Sequence, residues 1–118
     1  MLLKERTLLI TGGTSGIGRA LVDLLAPLNH SVIVIGRNAQ ALAALQKTYA
    51  GVHPYVCDLA SQSSVQQTVA DILARFPQLS VVINNAGMQS TAMLHDEDFD
   101  FNTISREILV NLAAPAWI

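Results

Sequence analysis

Thr11-Gly12-Gly13-Thr14-Ser15-Gly16-Ile17-Gly18 is the stretch of sequence that decides the fold. It follows the apolar run 8–10 and precedes a helical pattern, so a strand, a glycine-rich turn and a helix start follow one another. Glycines let the backbone turn sharply and approach a ligand closely, and a helix N-terminus offers unpaired N–H groups to an anion. The stretch predicts the phosphate-binding turn of a dinucleotide site, although a glycine-rich turn alone often only connects two elements.

Strand-like and helix-like patterns alternate along the chain. Apolar runs typical of buried parallel strands lie at 8–11, 31–35, 52–57 and 80–84. Four helices are predicted from apolar residues at helical spacing: Ile17, Leu21, Leu24, Leu25 and Leu28; Leu42, Leu45 and Tyr49; Val65, Val69, Ile72, Leu73 and Phe76; and Ile104, Ile108, Leu109 and Leu112. Pro27 and Asn29 favour the end of the first helix, Pro77 favours the end of the third, and Ser61 favours the start of the third. The alternation predicts an α/β fold, a Rossmann-like parallel sheet of about four strands with helices on both faces, as in a truncated doubly wound fold.

Length, composition and charge predict one globular domain over residues 1–118. Of the 118 residues, 51% are hydrophobic, and the net charge of −2 gives no basic stripe for nucleic acid. No apolar run approaches the ~20 residues of a membrane span, and residues 1–6 do not resemble a signal peptide. The single Cys57 excludes an internal disulfide. We therefore expect a cytoplasmic protein with neither a nucleic-acid nor a membrane partner.

The region after the second predicted strand indicates which dinucleotide is bound. A site for NAD usually places an acidic residue about 20 residues beyond the glycine turn, on the ribose 2′-OH. This chain has no acidic residue between Asp23 and Asp58, and Gly36-Arg37-Asn38 occupies the expected place. A guanidinium suits a 2′-phosphate, although Arg37 can also be a solvated charge at a strand end. The pattern predicts NADP(H) in preference to NAD(H).

Two further segments end predicted strands near the same edge of the sheet. In Cys57-Asp58-Leu59, Asp58 can accept a hydrogen bond from an adenine amino group, or it can form an ordinary turn. In Asn84-Asn85-Ala86-Gly87, small residues let a nucleotide lie against the backbone, although a strand-ending turn uses the same residues. His30, His53 and His95 are scattered without metal-ligand spacing, so no metal site is predicted.

Together these segments resemble the short-chain dehydrogenase/reductase family from about Thr7 to the end of the chain. Thr11-Gly12-x-x-x-Gly16-Ile17-Gly18 resembles its cofactor turn, Asp58-Leu59 its adenine-binding pair and Asn84-Asn85-Ala86-Gly87 its fourth-strand motif. Ser15 stands where many NADP-preferring members have a basic residue, so one phosphate contact is expected to be missing. The resemblance implies these cofactor-binding residues: Gly12, Thr14, Ser15, Gly16, Ile17, Gly18, Arg37, Asp58, Leu59, Asn85, Ala86 and Gly87.

The catalytic set implied by the resemblance is incomplete in this chain. Val110-Asn111-Leu112 resembles the helix segment with the family's asparagine, which supports a water that relays protons to the catalytic lysine. Pro115 cannot donate a hydrogen bond to the Asn111 carbonyl, which leaves that carbonyl for a water, unless the proline only kinks or ends the helix. The family's Ser and Tyr-x-x-x-Lys are absent, because Tyr49 is followed by His53 and Tyr55 by Leu59 at that spacing.

The resemblance implies the NADP(H)-binding part of an oxidoreductase that acts by hydride transfer on a carbonyl or alcohol, inactive as this chain. A non-catalytic NADP-binding or interaction module and a sugar-nucleotide epimerase relative are the alternatives, and the glycine spacing favours the reductase. The chain ends inside an apolar helix, which suggests a truncated fold. We therefore expect Ile83 on an edge strand and Ile104, Ile108 and Leu112 on an uncovered helix, which predicts a homo-oligomer, most simply a dimer.

Overall fold

A four-stranded parallel sheet forms the centre of the fold, in the order β3-β2-β1-β4. The computed structural model describes residues 5–87, 102, 105–106, 109–113 and 118, and for residues 112 and 113 only the backbone. The strands are β1 (Thr7–Thr11), β2 (Ser31–Gly36), β3 (Val52–Val56) and β4 (Val81–Ile83). In the register of the sheet, Leu9 of β1 pairs with Ile33 of β2 and Val82 of β4. The predicted parallel sheet with helices is confirmed, with strand ends within a residue or two of the predicted ones.

Helices connect the strands, and polar side chains fix where two of them begin. They are α1 (Gly16–Leu25), which runs into a short 3₁₀ turn (Ala26–Leu28), α2 (Ala39–Thr48) and α3 (Gln62–Arg75). The Ser64 N–H donates to Oγ of Ser61 over 3.4 Å, and the Ala41 N–H donates to Oδ1 of Asn38 over 3.0 Å. The predicted N-cap of α3 is confirmed, and this helix ends before Pro77 as expected.

Alternating side chains of the sheet build two apolar layers, because neighbouring residues of a strand point to opposite faces. Leu8, Ile10, Val32 and Val34 pack with residues of α1 and α2, whereas Leu9, Ile33 and Ile35 pack with residues of α3 and with Val110. Helices therefore cover both faces of β1 and β2. This burial holds the carboxyl ends of the strands, and the loops that follow them, in fixed positions.

The predicted apolar face of α1 is wrong in three of its five residues. Ile17, Leu24 and Leu28 are 75%, 65% and 58% exposed. The buried stripe of this helix is Gly18 and Val22, continued by Ala26, with Leu21 and Leu25 half-buried beside it. Two of its three members are small, and at Gly18 the loops that follow β1 and β4 leave no room for a side chain, so large apolar residues do not mark the buried face here. Leu73 of α3 was also expected in the core and is half-exposed.

The predicted fourth helix and the predicted edge strand are described only in part. Residues 102, 105 and 106 are helical, and Leu109–Ala113 form a π-helical turn, whereas Ile104, Ile108 and Pro115 lie outside the described residues. β4 is the outer strand of the sheet in the described part of the chain, as predicted, and Ile83 on it is half-buried. Within that part, no helix is long and apolar enough to cross a membrane.

Candidate cofactor-binding site

A cleft of about 490 Å³ lies at the carboxyl ends of the parallel strands. It opens where the strand order reverses, because β2 and β3 follow on one side of β1 and β4 returns to the other side. Open α/β sheets bind ligands at this reversal point. The cleft is lined by Gly12, Thr14, Ser15, Ile17, Ile35, Gly36, Arg37, Asn38, Cys57, Asp58, Leu59, Asn85, Ala86, Gly87 and Val110.

Three glycines of the turn after β1 meet different requirements. Gly12 has φ +70°, and a Cβ built on it would lie 2.8 Å from Cα of Ala86. A Cβ on Gly18 would collide with the carbonyl oxygen of Gly12 and the side-chain nitrogen of Asn85. A Cβ on Gly16 would meet open space, so its φ of +56° is what favours glycine there. Gly16 and Gly18, the first and third residues of α1, do not line the cleft.

The N-terminus of α1 carries no acidic residue in its first turn, and its N-cap Ser15 makes no side-chain capping bond. The first N–H groups of a helix lack intrahelical partners and carry a partial positive charge. Ser15 and Ile17 both line the cleft here, and Ile17 is exposed. Thr14 packs behind them on the end of β2, where its Cγ2 lies 3.2 Å from a Cβ built on Gly36. This end of the cleft can hold the pyrophosphate of a dinucleotide.

Thr11 and Asn85 fasten the loop after β4 to the glycine turn. Oγ1 of Thr11, which is buried, accepts hydrogen bonds from the N–H groups of Asn85 at 3.1 Å and Ala86 at 3.0 Å. The Asn85 amide donates in return to the carbonyl oxygens of Thr11 at 3.3 Å and Gly12 at 3.2 Å. Asn85 therefore lines the cleft, and its hydrogen bonds hold two of the cleft's walls together. Thr11 was not among the predicted site residues, because a threonine ending an apolar strand also reads as an ordinary strand residue.

The far end of the cleft carries the two charged residues of its described lining, Arg37 and Asp58. Arg37 is exposed at the end of β2, directly before Asn38, the N-cap of α2. Asp58 follows β3 beside the buried Leu59. Oδ1 of Asp58 accepts a hydrogen bond from the N–H of Ala60 at 3.0 Å, the turn geometry that the sequence left open as an alternative to ligand binding.

Arg106 is a second residue that the sequence reasoning missed. Its Nη2 donates to Oδ1 of Asp58 over 2.8 Å, in an ion pair with both side chains about a third exposed or more. Burial disfavours the ionised carboxylate, but the hydrogen bonds from Ala60 and Arg106 and the charges of Arg106 and Arg37 outweigh it and lower the pKa of Asp58. Nothing in the sequence joins residues 58 and 106, so only the fold could show this pair.

Asn111 and Tyr49 are not part of the described lining of the cleft. Asn111 lies in the π-helical turn, and its Oδ1 is 3.6 Å from a Cβ built on Gly87, which places it beside the cleft. Tyr49 does not line the cleft and donates its hydroxyl to Oδ1 of Asp23 over 2.8 Å, a bond that raises the pKa of Tyr49. The described residues contain no group of His, Cys, Asp and Glu side chains that could hold a metal ion.

Comparison with known proteins agrees with this geometry. The short chain dehydrogenase family matches residues 6–118, so the chain belongs to that family. An uncharacterized oxidoreductase, DltE, of Bacillus subtilis is 33% identical over 94% of this chain and 41% of its own length. A 3beta-hydroxysteroid dehydrogenase of Mediterraneibacter gnavus is 32% identical over 80% of this chain and 37% of its own length. The chain thus spans about two fifths of the length of these relatives.

Solved structures show the same fold. A metagenomic short-chain oxidoreductase in complex with NADP superposes with a TM-score of 0.86 at 26% identity, over 98% of this chain and 53% of that protein. A short-chain dehydrogenase from Streptomyces avermitilis superposes with a TM-score of 0.85 at 25% identity, over 99% of this chain and 43% of that protein. Members of this family bind a nicotinamide dinucleotide.

Proposed function

We propose that residues 1–118 are the NADP(H)-binding part of a short-chain dehydrogenase/reductase that transfers hydride between the cofactor and a carbonyl or alcohol substrate. The observation that carries the proposal is the composition of one cleft. At its one end lies the uncapped N-terminus of α1 and at its other end the exposed Arg37. The first end suits a pyrophosphate and the second a 2′-phosphate.

The residues of the cleft fit a dinucleotide. Gly12 and Gly18 bring α1 and the loop after β4 together without side chains that would fill the turn, and Gly16 opens towards solvent. When bound, the nicotinamide supplies the hydride acceptor or donor. In this proposal the chain's own groups bind and orient: the first N–H groups of α1, with Thr14 and Ser15, hold phosphate, Arg37 holds the 2′-phosphate, and Asp58 accepts from the adenine. Ile17, Leu59, Ala86 and Gly87 form further parts of the walls.

The preference for NADP(H) over NAD(H) follows from the charges around Arg37. No described residue makes a hydrogen bond or ion pair with its guanidinium, whereas Asp58, the acidic residue of the described lining, is paired with Arg106. α2 begins next to Arg37, and the positive end of its dipole favours an anion there. A phosphate at this place meets a cation that makes no hydrogen bond or ion pair with the described residues, whereas a ribose 2′-OH finds no carboxylate on β2 to accept its hydrogen bond.

The test is a fluorescence titration of the chain with NADPH and with NADH. We expect NADPH to bind more tightly, and Arg37→Asp to erase or reverse the preference. Lys47→Asp is the matched control, because it makes the same change of charge in the last turn of α2, away from the cleft, and leaves the preference in place. Equal affinities of the two cofactors in the unmodified chain would contradict the proposed preference. Only the ratio is compared, so weak absolute binding does not affect the result.

We propose that the chain alone turns over no substrate, since it has no Tyr-x-x-x-Lys pair, and the one carboxylate of the described lining, Asp58, is assigned to the adenine rather than to proton transfer with the substrate. Asn111 is then the one member of the catalytic set that it contributes. Oxidation of NADPH with a panel of aldehydes and ketones is expected to stay at the buffer blank. Oxidation well above the blank that is lost in Asn111→Ala would refute this part of the proposal.

We further propose a cytoplasmic location and self-association. The single cysteine, Cys57, is a buried free thiol, which suits a reducing compartment. β4 presents an unpaired edge in the described part of the chain, and a two-fold partner could cover it. Light scattering at tens of micromolar protein is expected to report a dimer, and a monomer would contradict this.

A further inference from the structure

We propose that Arg106 is a positioning residue for cofactor choice: by pairing with Asp58 it keeps Arg37 available for a 2′-phosphate. The inference rests on the proposed function and deepens it. Three charged side chains meet at the far end of the cleft, where the proposed function places the adenosine. Arg37 and Asp58 are in the lining, and Arg106 reaches Asp58 from the helical residues before the π turn.

Without Arg106, the negative charge of Asp58 would offset the positive charge of Arg37 at this end of the cleft. Arg37 and Asp58 both line this end of the cleft, and the charge of Arg37 contributes to the lowered pKa of that carboxyl, so the two side chains attract each other. An unpaired carboxylate would hold the guanidinium of Arg37 and would also repel the phosphates of the ligand. The lining alone would carry one positive and one negative charge.

With Arg106 present, the carboxylate is already satisfied. Arg106 Nη2 at 2.8 Å and the Ala60 N–H at 3.0 Å both bind Oδ1 of Asp58. The described residues donate no hydrogen bond to Oδ2, so the carboxylate keeps an acceptor for an amino group of the base. The three side chains together carry one net positive charge, and that charge is on Arg37. An acceptor for adenine and a phosphate site can then lie side by side.

The inference makes opposite predictions for the two partners of a single contact. Arg106→Met exposes the charge of Asp58, so the ratio of NADPH to NADH affinity should fall, on the order of threefold to tenfold at low salt. Asp58→Asn breaks the same ion pair but removes the negative charge, so the ratio should stay the same or rise. If the contact only held the fold together, Arg106→Met and Asp58→Asn would shift the ratio in the same direction.

The experiment is a double-mutant cycle on the full chain, with the Kd values of NADPH and NADH measured by fluorescence titration in low salt. Arg106→Lys is expected to restore most of the ratio that Arg106→Met loses. In the Asp58→Asn background, Arg106→Met should change the ratio less than twofold, because the carboxylate that it shields is gone. Raising the salt concentration should reduce the effect of Arg106→Met.

Three results would overturn the inference: an unchanged ratio in Arg106→Met, an equal loss in both backgrounds, or a lower ratio in Asp58→Asn. If Arg106→Met does not fold, Arg106→Gln takes its place, because it also removes the charge; the ratio is expected to fall in it, and an unchanged ratio would overturn the inference. A chain that binds neither dinucleotide contradicts the proposed function itself. A chain that prefers NADPH, with a ratio insensitive to Arg106, contradicts only this inference.

Discussion

The contribution of the Thr11 hydroxyl to the free energy of unfolding can be measured with one substitution. Thr11→Val keeps the shape of the side chain but removes the oxygen that accepts from the N–H groups of Asn85 and Ala86. Both N–H groups are partly buried beside the glycine turn, and an unsatisfied buried donor costs about 1–3 kcal/mol. With some access to water, the two together should lower the free energy of unfolding by about 2–4 kcal/mol.

Thr11→Ser is the matched control. It keeps the acceptor oxygen and removes one buried methyl group, which should cost about 1 kcal/mol. Urea unfolding at 25 °C, followed by circular dichroism, compares the two variants with the unmodified chain. We expect Thr11→Val to be the less stable variant by at least 1 kcal/mol. If Thr11→Ser is as destabilised as Thr11→Val, the methyl group and not the hydroxyl matters. The hydrogen bonds between Thr11 and the loop after β4 would then contribute little to stability.

Two further predictions concern stability. Gly18→Ala should destabilise the chain more than Gly16→Ala, because its Cβ meets the Gly12 carbonyl whereas that of Gly16 meets open space; equal urea midpoints would contradict this. Burial, followed by the charge of Arg75, lowers the pKa of His53, so the unfolded chain binds its proton more readily. The contribution of neutral His53 is therefore complete above pH 6.5 and is lost as the pH falls below it, and His53→Gln should flatten this part of the stability profile. An unchanged slope would contradict it.

The sheet could be predicted from the sequence because its central strands are buried on both faces. A strand such as β2 then reads as a continuous apolar run, and strand-helix alternation leaves few topologies. The end of α3 could be predicted because Pro77 lacks the N–H that would continue the helix, an effect that depends on no distant residue. The buried face of α1 could not, because it includes the small residues Gly18 and Ala26, which a search for large apolar residues passes over, and Gly18 is small because of loops from distant parts of the chain.

The candidate site also has a part that could be predicted from the sequence and a part that could not. Its glycine turn and Arg37 lie next to predicted strand ends, so the sequence indicates that they meet at one edge of the sheet. The contacts that hold the site together join distant parts of the chain: Thr11 binds residues 74 and 75 positions away, and Arg106 binds Asp58 from 48 positions away. Thr11 begins the glycine motif, but the motif assigns no role to its side chain, and Arg106 does not stand out by type or spacing, so both roles emerge only once the strands are assembled.

The most direct test of dinucleotide binding in this cleft is an NMR titration of the ¹⁵N-labelled chain with NADPH. We expect the largest amide shifts in residues 12–18 and at Arg37, Asp58 and 85–87, the segments that line or shape the cleft. The far ends of α2 and α3 should change little. Saturable shifts centred on another surface, or none at millimolar NADPH, would contradict the central claim that this cleft is a dinucleotide site.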